Sequence, residues 1–307
     1  MRLANVLNPE TRKPMAVVQR PGGWVALRDL ADPRSHQNWD TLESALPDLK
    51  RVAAVVAAGS VPPRTFDTFL PPILRPATFR DFYAFEQHVA TCRAKRGLPM
   101  EPAWYAQPAF YFSNPVALVG SDARVYPPAG CVDLDYELEL AAIIGTAGRD
   151  ISPQNAWKHI AGFTILNDLS ARDLQRREMP VGLGPAKGKD FATALGPALL
   201  TLDELRDRID SKDRVDLAMR ARVNGRELSN GNAASMHFTW PQLIAHASRD
   251  ADLLPGDLIG SGTVGTGCIL ELGPENTGGW LKPGDTVELE IERLGILRTA
   301  IVPRPGK

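Results

Sequence analysis

Four acids recur at every second position in Asp133-Leu134-Asp135-Tyr136-Glu137-Leu138-Glu139-Leu140. A β-strand sends alternate side chains to one face, so the four carboxylates would line a single surface. Such an alternation is usually the water-facing side of a strand, which is how Glu288, Glu290 and Glu292 read. Here the run continues into Leu140-Ala141-Ala142-Ile143-Ile144-Gly145, apolar on both faces, so the end carrying Glu137 and Glu139 is drawn toward the core. Buried carboxylates without partners are costly, and a bound divalent cation is one of the few things that offsets the cost. A third acid, Asp168, closes the apolar stretch 160–166 just before a short helix, where sites commonly form. Taken alone, Asp168 reads equally well as a turn residue ahead of a cap. Oxygen ligands suit a hard ion, Mg2+ first with Mn2+ or Ca2+ as alternatives, and argue against zinc.

A proton carrier can be sought by elimination among the five histidines. His36 falls in a polar loop, His159 beside Trp157, and His246 after Leu243-Ile244-Ala245; these read as structural. His237 reads either way. His88 follows Asp81-Phe82-Tyr83-Ala84-Phe85-Glu86-Gln87, although a lone histidine is more often a satisfied hydrogen-bonding residue. Arg172 and Gln175 stand three apart on an expected helix and face the same way. A fixed cation beside a neutral amide donor suits a developing oxyanion. Lys189 follows in Gly188-Lys189-Asp190-Phe191-Ala192-Thr193. Each of the three, out of context, is as readily a surface group. Gly182-Leu183-Gly184 and Gly265-Thr266-Gly267 match neither nucleotide-loop pattern, so nucleotide binding is set aside.

The elements that must position these groups are strands joined by turns. The 307 residues include 26 glycines and 26 prolines, a surplus that excludes a helix bundle, and 44% apolar content supports a sizeable core. The first 72 residues carry short apolar runs split by Pro21-Gly22-Gly23, then a helical stretch over 41–58. A proline cluster, Pro62-Pro63, Pro71-Pro72 and Pro76, ends that part, so a boundary is placed there: a small β-rich domain over 1–72 and a catalytic domain over 73–307. Residues 215–223 alternate into Asn224-Gly225, a strong hairpin signal, and Lys282-Pro283-Gly284-Asp285 turns into a half-exposed strand over 286–293. Helices are expected over 153–158 and 170–177, the second opened by Ser170 with Asp173 as a capping box. Thirty-five basic against 36 acidic residues give a net charge of −1, which offers nucleic acid or an anionic membrane no attraction. Cys92, Cys131 and Cys268 are far apart and in no CxxC pair, so neither a disulfide framework nor a thiolate zinc site is suggested. No run reads as a membrane span or signal peptide, and the expected location is the cytoplasm.

In order along the chain, Asp81-Phe82-Tyr83 with His88, the Glu137-x-Glu139 pair, Asn167-Asp168-Leu169-Ser170-Ala171-Arg172-Asp173-Leu174-Gln175, Gly188 to Thr193, Ser261-Gly262-Thr263 and Leu270-Glu271-Leu272 resemble the fumarylacetoacetate hydrolase family. The resemblance runs from Phe79 to Val302. It implies a mainly β chain with short helices (α+β), a C-terminal mixed β-sandwich roll behind a small β-rich N-terminal domain. It implies a divalent metal held by Asp81, Glu137, Glu139 and Asp168, and His88 as general base oriented by Glu271. Arg172, Gln175 and Lys189 would bind developing negative charge, and Tyr83, Tyr111, Arg172, Gln175 and Thr263 would contact substrate. A homodimer acting on a small 2-oxo or 1,3-dicarbonyl acid, as in aromatic catabolism, is likewise implied.

The family also holds decarboxylases, hydratases and isomerases, so fold and metal do not settle the reaction. The hydrolase-like spacing of Asp81 and His88, with Glu271 as partner, points to a metal-dependent hydrolase that cleaves a carbon–carbon bond in an acylpyruvate or fumarylacetoacetate-like acid. The alternative is a 2-oxo acid lyase, an oxaloacetate-type decarboxylase or a 2-oxo-alkenoate hydratase. A non-catalytic relative would show degraded metal or His/Glu positions, and none is degraded. Met179 stands where the eponymous hydrolase has a tyrosine, and Arg93 and Arg96 both fall near the position of its distal-acid arginine. The distal end of the substrate is therefore expected to differ.

Overall fold

Strands that are apolar on both faces need cover on both sides, and Leu138–Ile144 and Ile160–Asp168 are buried along their whole length. The computed structural model describes residues 1–31 and 38–306, so His36 lies outside the described residues. The two buried strands pair at the centre of an eleven-stranded sheet. Its order is Gly23–Ala26, Pro14–Arg20, Arg2–Leu7, Thr193–Thr201, Ile160–Asp168, Leu138–Ile144, Leu258–Gly260, Phe79–Phe82 and Phe110–Phe112, with Phe69–Leu70 on Arg2–Leu7 and Leu118–Val119 on Thr193–Thr201. Residues 1–72 thus enter the same sheet as the rest of the chain, through Arg2 opposite Leu200 and Leu3 opposite Leu199.

One face of the central strands packs on a second sheet of five strands, ordered Arg226–Asn232, Ala218–Val223, Thr286–Ile291, Gly295–Ile301 and Ala123–Val125. Leu138, Leu140, Phe163 and Ile165 meet Met219, Ala221, Leu289 and Leu297 in that core. The other face is covered from the N-terminal part, where Ala141, Ile143 and Leu166 cluster with Leu3, Leu27, Leu42 and Val52. The result is a mixed α/β architecture of two packed sheets with short helices.

Several local expectations are refined. The stretch 41–58 is a broken helix, α-helical over Leu42–Ala45 and Leu49–Ala58 with a 3₁₀ turn at Leu46–Asp48, because Pro47 has no N–H to continue the ladder. Pro153–Lys158 is 3₁₀. The proposed capping box at Ser170 does not form. Ser170–Ala171 pairs as a strand with Leu134–Asp135, the Ser170 hydroxyl donates to the Asp168 carbonyl at 2.9 Å, and the helix begins at Arg172. The hairpin at Asn224-Gly225 has positive φ at both residues, 52° and 78°, the mark of a type I′ turn.

Candidate active site

The acidic alternation is divided by the fold. Leu134–Asp135 leaves the main sheet to pair with Ser170–Ala171, whereas Glu139 sits within Leu138–Ile144 opposite Leu166. Leu258–Gly260 lies between that strand and Phe79–Phe82, with Gly260 in register with Asp81. Asp168 ends the neighbouring strand on the other side. Three carboxylates from three different strands therefore converge: Asp81, Glu139 and Asp168 each offer an oxygen within 4.8 Å of the others. Gly260 leaves the room for them, since a Cβ there would stand 2.2 Å from Asp81 Oδ1 and 3.4 Å from Glu139 Oε2.

These acids are buried, and Asp81 Oδ1, Glu139 Oε2 and Asp168 Oδ1 find no hydrogen-bond partner among the described residues. Burial first, then the charge of Asp168, pushes the Asp81 carboxyl well above its usual range; burial and Asp81 do the same to Glu139. An inward-facing, oxygen-only, mutually repelling set of this kind fits a hard divalent cation. Thr263 steadies it, donating from Oγ1 to Glu139 Oε1 at 3.2 Å. Gly262, at φ 77°, lets that loop lie against the Phe82 carbonyl, where a Cβ would come within 2.3 Å.

Glu137 stands beside this trio with partners of its own. Its Oε1 accepts from Arg172 Nη2 at 2.7 Å and its Oε2 from Lys189 Nζ at 2.5 Å. Burial opposes its ionisation, but Lys189 and Arg172 outweigh that and hold the carboxyl well below the usual range. Lys189 also reaches Asp168 Oδ2 at 2.5 Å, an oxygen that accepts from Tyr111 Oη at 2.7 Å. Arg172 is fixed from behind: Nε donates to Asp135 Oδ2 at 2.9 Å, and Asp135 accepts from the backbone N–H groups of Ile269 and Leu270 at 2.7 and 3.0 Å. Asp135 thus ties Arg172 to the turn that carries Glu271. Sequence reading placed this acid on the same face as Glu137 but found no role for it; an acid in that alternation with a nearby buried arginine was the only signal. Arg172 Nη1 donates to Gln175 Oε1 at 3.0 Å, leaving the Gln175 amide N–H groups for other partners.

On the opposite wall, His88 of the helix Glu86–Ala94 places Nδ1 2.5 Å from Glu271 Oε1, while Glu271 Oε2 accepts from the Thr266 N–H at 3.0 Å. The Tyr83 ring meets His88 edge-on at 5.3 Å. Burial pulls the imidazole pKa down, yet the hydrogen bonds with Cys268 and Glu271 prevail and lift it to about 10. So held, the ring is biased toward its charged form. From that form it acts as a base only after passing its proton on.

A cavity of about 530 Å³ joins the two walls and is lined by every expected site residue except Glu271, which stands behind His88. Arg96, Lys95, Arg176 and Met179 also line it; Arg93 does not, its Nε donating instead to the Pro99 carbonyl at 2.5 Å. The remaining described histidines lie elsewhere. His159 Nδ1 is 3.0 Å from the Thr146 carbonyl, His246 packs on Phe82 and Phe110, and His237 stacks among Trp104, Tyr105 and Phe238. No described helix is long and apolar enough to cross a membrane.

Residues 77–302 match the family model for the fumarylacetoacetate (FAA) hydrolase C-terminal domain. The chain is 34% identical over 252 residues to a mitochondrial oxaloacetate tautomerase of Homo sapiens, covering 81% of this chain and 74% of that protein. It is 32% identical over 316 residues to one from Rattus norvegicus, covering 98% and 92%. A solved fumarylacetoacetate hydrolase from Exiguobacterium antarcticum superposes with a TM-score of 0.75 at 26% identity, over 99% of this chain and 100% of that one. The fold is also that of a fumarylpyruvate hydrolase from Pseudomonas aeruginosa solved with Mn2+ and pyruvate, TM-score 0.61 at 23% identity, over 78% of this chain and 93% of that one. With the motifs in order, the fold matched and the buried acids gathered in one cavity, the chain belongs to the fumarylacetoacetate hydrolase family.

Proposed function

We propose that the protein interconverts the keto and enol forms of a small 2-oxo dicarboxylic acid of the oxaloacetate class, with Mg2+ or Mn2+ held by Asp81, Glu139 and Asp168 and Glu137 close by. The observation that carries this reading is His88, held by Glu271 at 2.5 Å, across the cavity from unpartnered carboxylate oxygens. The names of the relatives at 34% and 32% identity support it. When bound, the cation supplies Lewis-acid stabilisation to the negative charge that builds on the substrate's oxygens. The chain's own groups do the rest. Lys189 and Arg172, both buried cations, orient the acid, and the free Gln175 amide donates to the oxygen on which charge develops. With Nδ1 engaged by Glu271, Nε2 of His88 is the nitrogen free to deliver a proton to the substrate carbon and to recover one from the enol hydroxyl. Arg96 and Arg176 supply charge for a second carboxylate.

The hydrolytic reading, cleavage of an acylpyruvate-like carbon–carbon bond, is supported by the same residues and by the solved hydrolases of this fold. It ranks second because His88 must start neutral to activate water, and its surroundings favour the charged ring. The deciding experiment mixes enol oxaloacetate, an acylpyruvate and fumarylacetoacetate with the protein in Mg2+, Mn2+ or chelator, following the enol absorbance alongside product analysis. Metal-dependent decay without fragments or CO2 is expected. Fragment acids would install the hydrolase in its place, and CO2 the decarboxylase. His88→Gln should slow ketonisation by ~10²- to 10⁴-fold, and an undiminished rate would sink the role given to the ring.

A further inference from the structure

Around His88 lies a group of side chains with ligand chemistry unlike that of the acids. Cys92, one turn along the same helix, puts Sγ 3.9 Å from Nδ1 and 3.8 Å from Nε2 of the ring. Cys268 brings its Sγ to 3.7 Å from Glu271 Oε1, and the two thiols are hydrogen-bonding neighbours. His88, Cys268 and Glu271 each offer an atom within 4.8 Å of the others, and all four residues are buried. Both cysteines are free thiols. With bonds of ~2.3 Å to sulfur and ~2.0 to 2.2 Å to nitrogen and oxygen, the edges of a tetrahedral zinc site are about 3.4 to 3.8 Å. The sulfur contacts of 3.7 to 3.9 Å lie at or just beyond the long end of that range, so Cys92 has to move inward to join the trio and the His88–Glu271 contact has to lengthen.

We propose that His88, Cys92, Cys268 and Glu271 form a second metal site, selective for Zn2+ and similar thiophilic ions, and that filling it switches the enzyme off. Two thiolates, an imidazole and a carboxylate make a soft set, whereas Asp81, Glu139 and Asp168 offer oxygen alone, so the two sites sort cations by softness. An ion in the soft site takes the ring nitrogen and carboxylate that carry the proton. Cys92 borders the cavity, which gives the ion its access. Cys92 and Cys268 are far apart in the sequence and in no CxxC pair, so spacing suggests no such site; it is their meeting in space that motivates the proposal. Inhibition rests on the function proposed above; binding does not.

The test titrates Co2+, as a spectroscopic probe, into full-length protein in excess Mg2+. A thiolate-to-cobalt charge-transfer band saturating at one equivalent is expected, kept in Asp81→Asn and lost in Cys92→Ala/Cys268→Ala. Zn2+ should inhibit the wild type, and the double variant, relative to its own zinc-free rate, should need ~100-fold more, since even an outer partner of a metal ligand is worth 10- to 100-fold. Circular dichroism checks folding. If the double variant does not fold, Cys92→Ala alone carries the test, with the band weakened and inhibition relieved ~10-fold or more. No band, or a band unchanged by the cysteine substitutions, overturns the site; a cysteine-dependent band without zinc inhibition overturns the switch. If the protein turns over none of the oxo acids, the band still decides the site.

Discussion

Replacing Asp81 by asparagine separates a cation site from an ordinary buried acid by the sign of its effect. Without metal, Asp81, Glu139 and Asp168 place oxygens within 4.8 Å of one another. Two full charges at that distance repel by about 3.5 kcal/mol at an effective dielectric constant near 20. The crowding, with burial as the larger cause, raises the carboxyl pKa of Asp81 in the folded chain above its ordinary 3.8. A raised folded value means stability that is complete below the unfolded value, about 4, and lost as pH climbs through the folded one. Metal-free wild type at neutral pH therefore bears strain that the isosteric asparagine relieves. In chelator at pH 7 the variant should unfold at the same temperature as wild type or higher, by at most about 3 kcal/mol, the size of one such repulsion. With Mg2+ or Mn2+ at 100 times its dissociation constant, wild type gains about 2.7 kcal/mol, worth about 5 °C in a chain this size. The variant should gain less than a third of that. Thermal unfolding by circular dichroism of both proteins, with chelator and with each metal, reads these shifts. A variant less stable than wild type in chelator, with the same shift on adding metal, would refute the reasoning, because Asp81 would then be held by the protein and not await an ion.

Two further outcomes follow from the same geometry. His88, lifted from 6.5 to about 10, contributes stability that is complete below pH 6.5 and lost as pH rises toward 10, at no more than ~1.4 kcal/mol per pH unit. Glu271→Gln removes the carboxylate that, with Cys268, lifts the ring, so between pH 7 and 9 wild type should lose more stability than the variant, by up to about 2.7 kcal/mol; parallel urea midpoints at the two pH values would contradict the charged pair. Gly260→Ala puts a methyl against Asp81 Oδ1, the movable end of a side chain, so the fold should survive while metal-dependent stabilisation falls. An unchanged metal titration in that variant would place the ion elsewhere.

A single face of four carboxylates was not legible, since the strand breaks between Asp135 and Leu138; burial of Glu137 and Glu139 was, because the apolar run from Leu140 to Gly145 showed which end is drawn into the core. The type I′ hairpin at Asn224-Gly225 and the break at Pro47 are likewise local matters of backbone sterics. The capping box at Ser170 was not legible, since its hydroxyl serves the Asp168 carbonyl once Ser170–Ala171 pairs with Leu134–Asp135. Nor was the division of labour among the acids. Glu137 and Glu139 are two residues apart, yet Glu137 turns to Lys189 and Arg172 while Glu139 joins Asp81 and Asp168.

What the sequence determined by itself was the chemistry available: hard oxygens at alternate positions beside an apolar run, a few histidines, and basic residues in the segments that follow. What only the tertiary structure decided was which of these groups meet. Leu258–Gly260 inserts between the strands of Asp81 and Glu139 and brings two acids distant in sequence to one point, and the turn holding Cys268 and Glu271 closes on the helix holding His88 and Cys92. Periodicity is a local property that sets the face a side chain presents. Strand order and turn docking are settled by burying both sheets at once, and that global packing makes neighbours of residues no spacing rule connects.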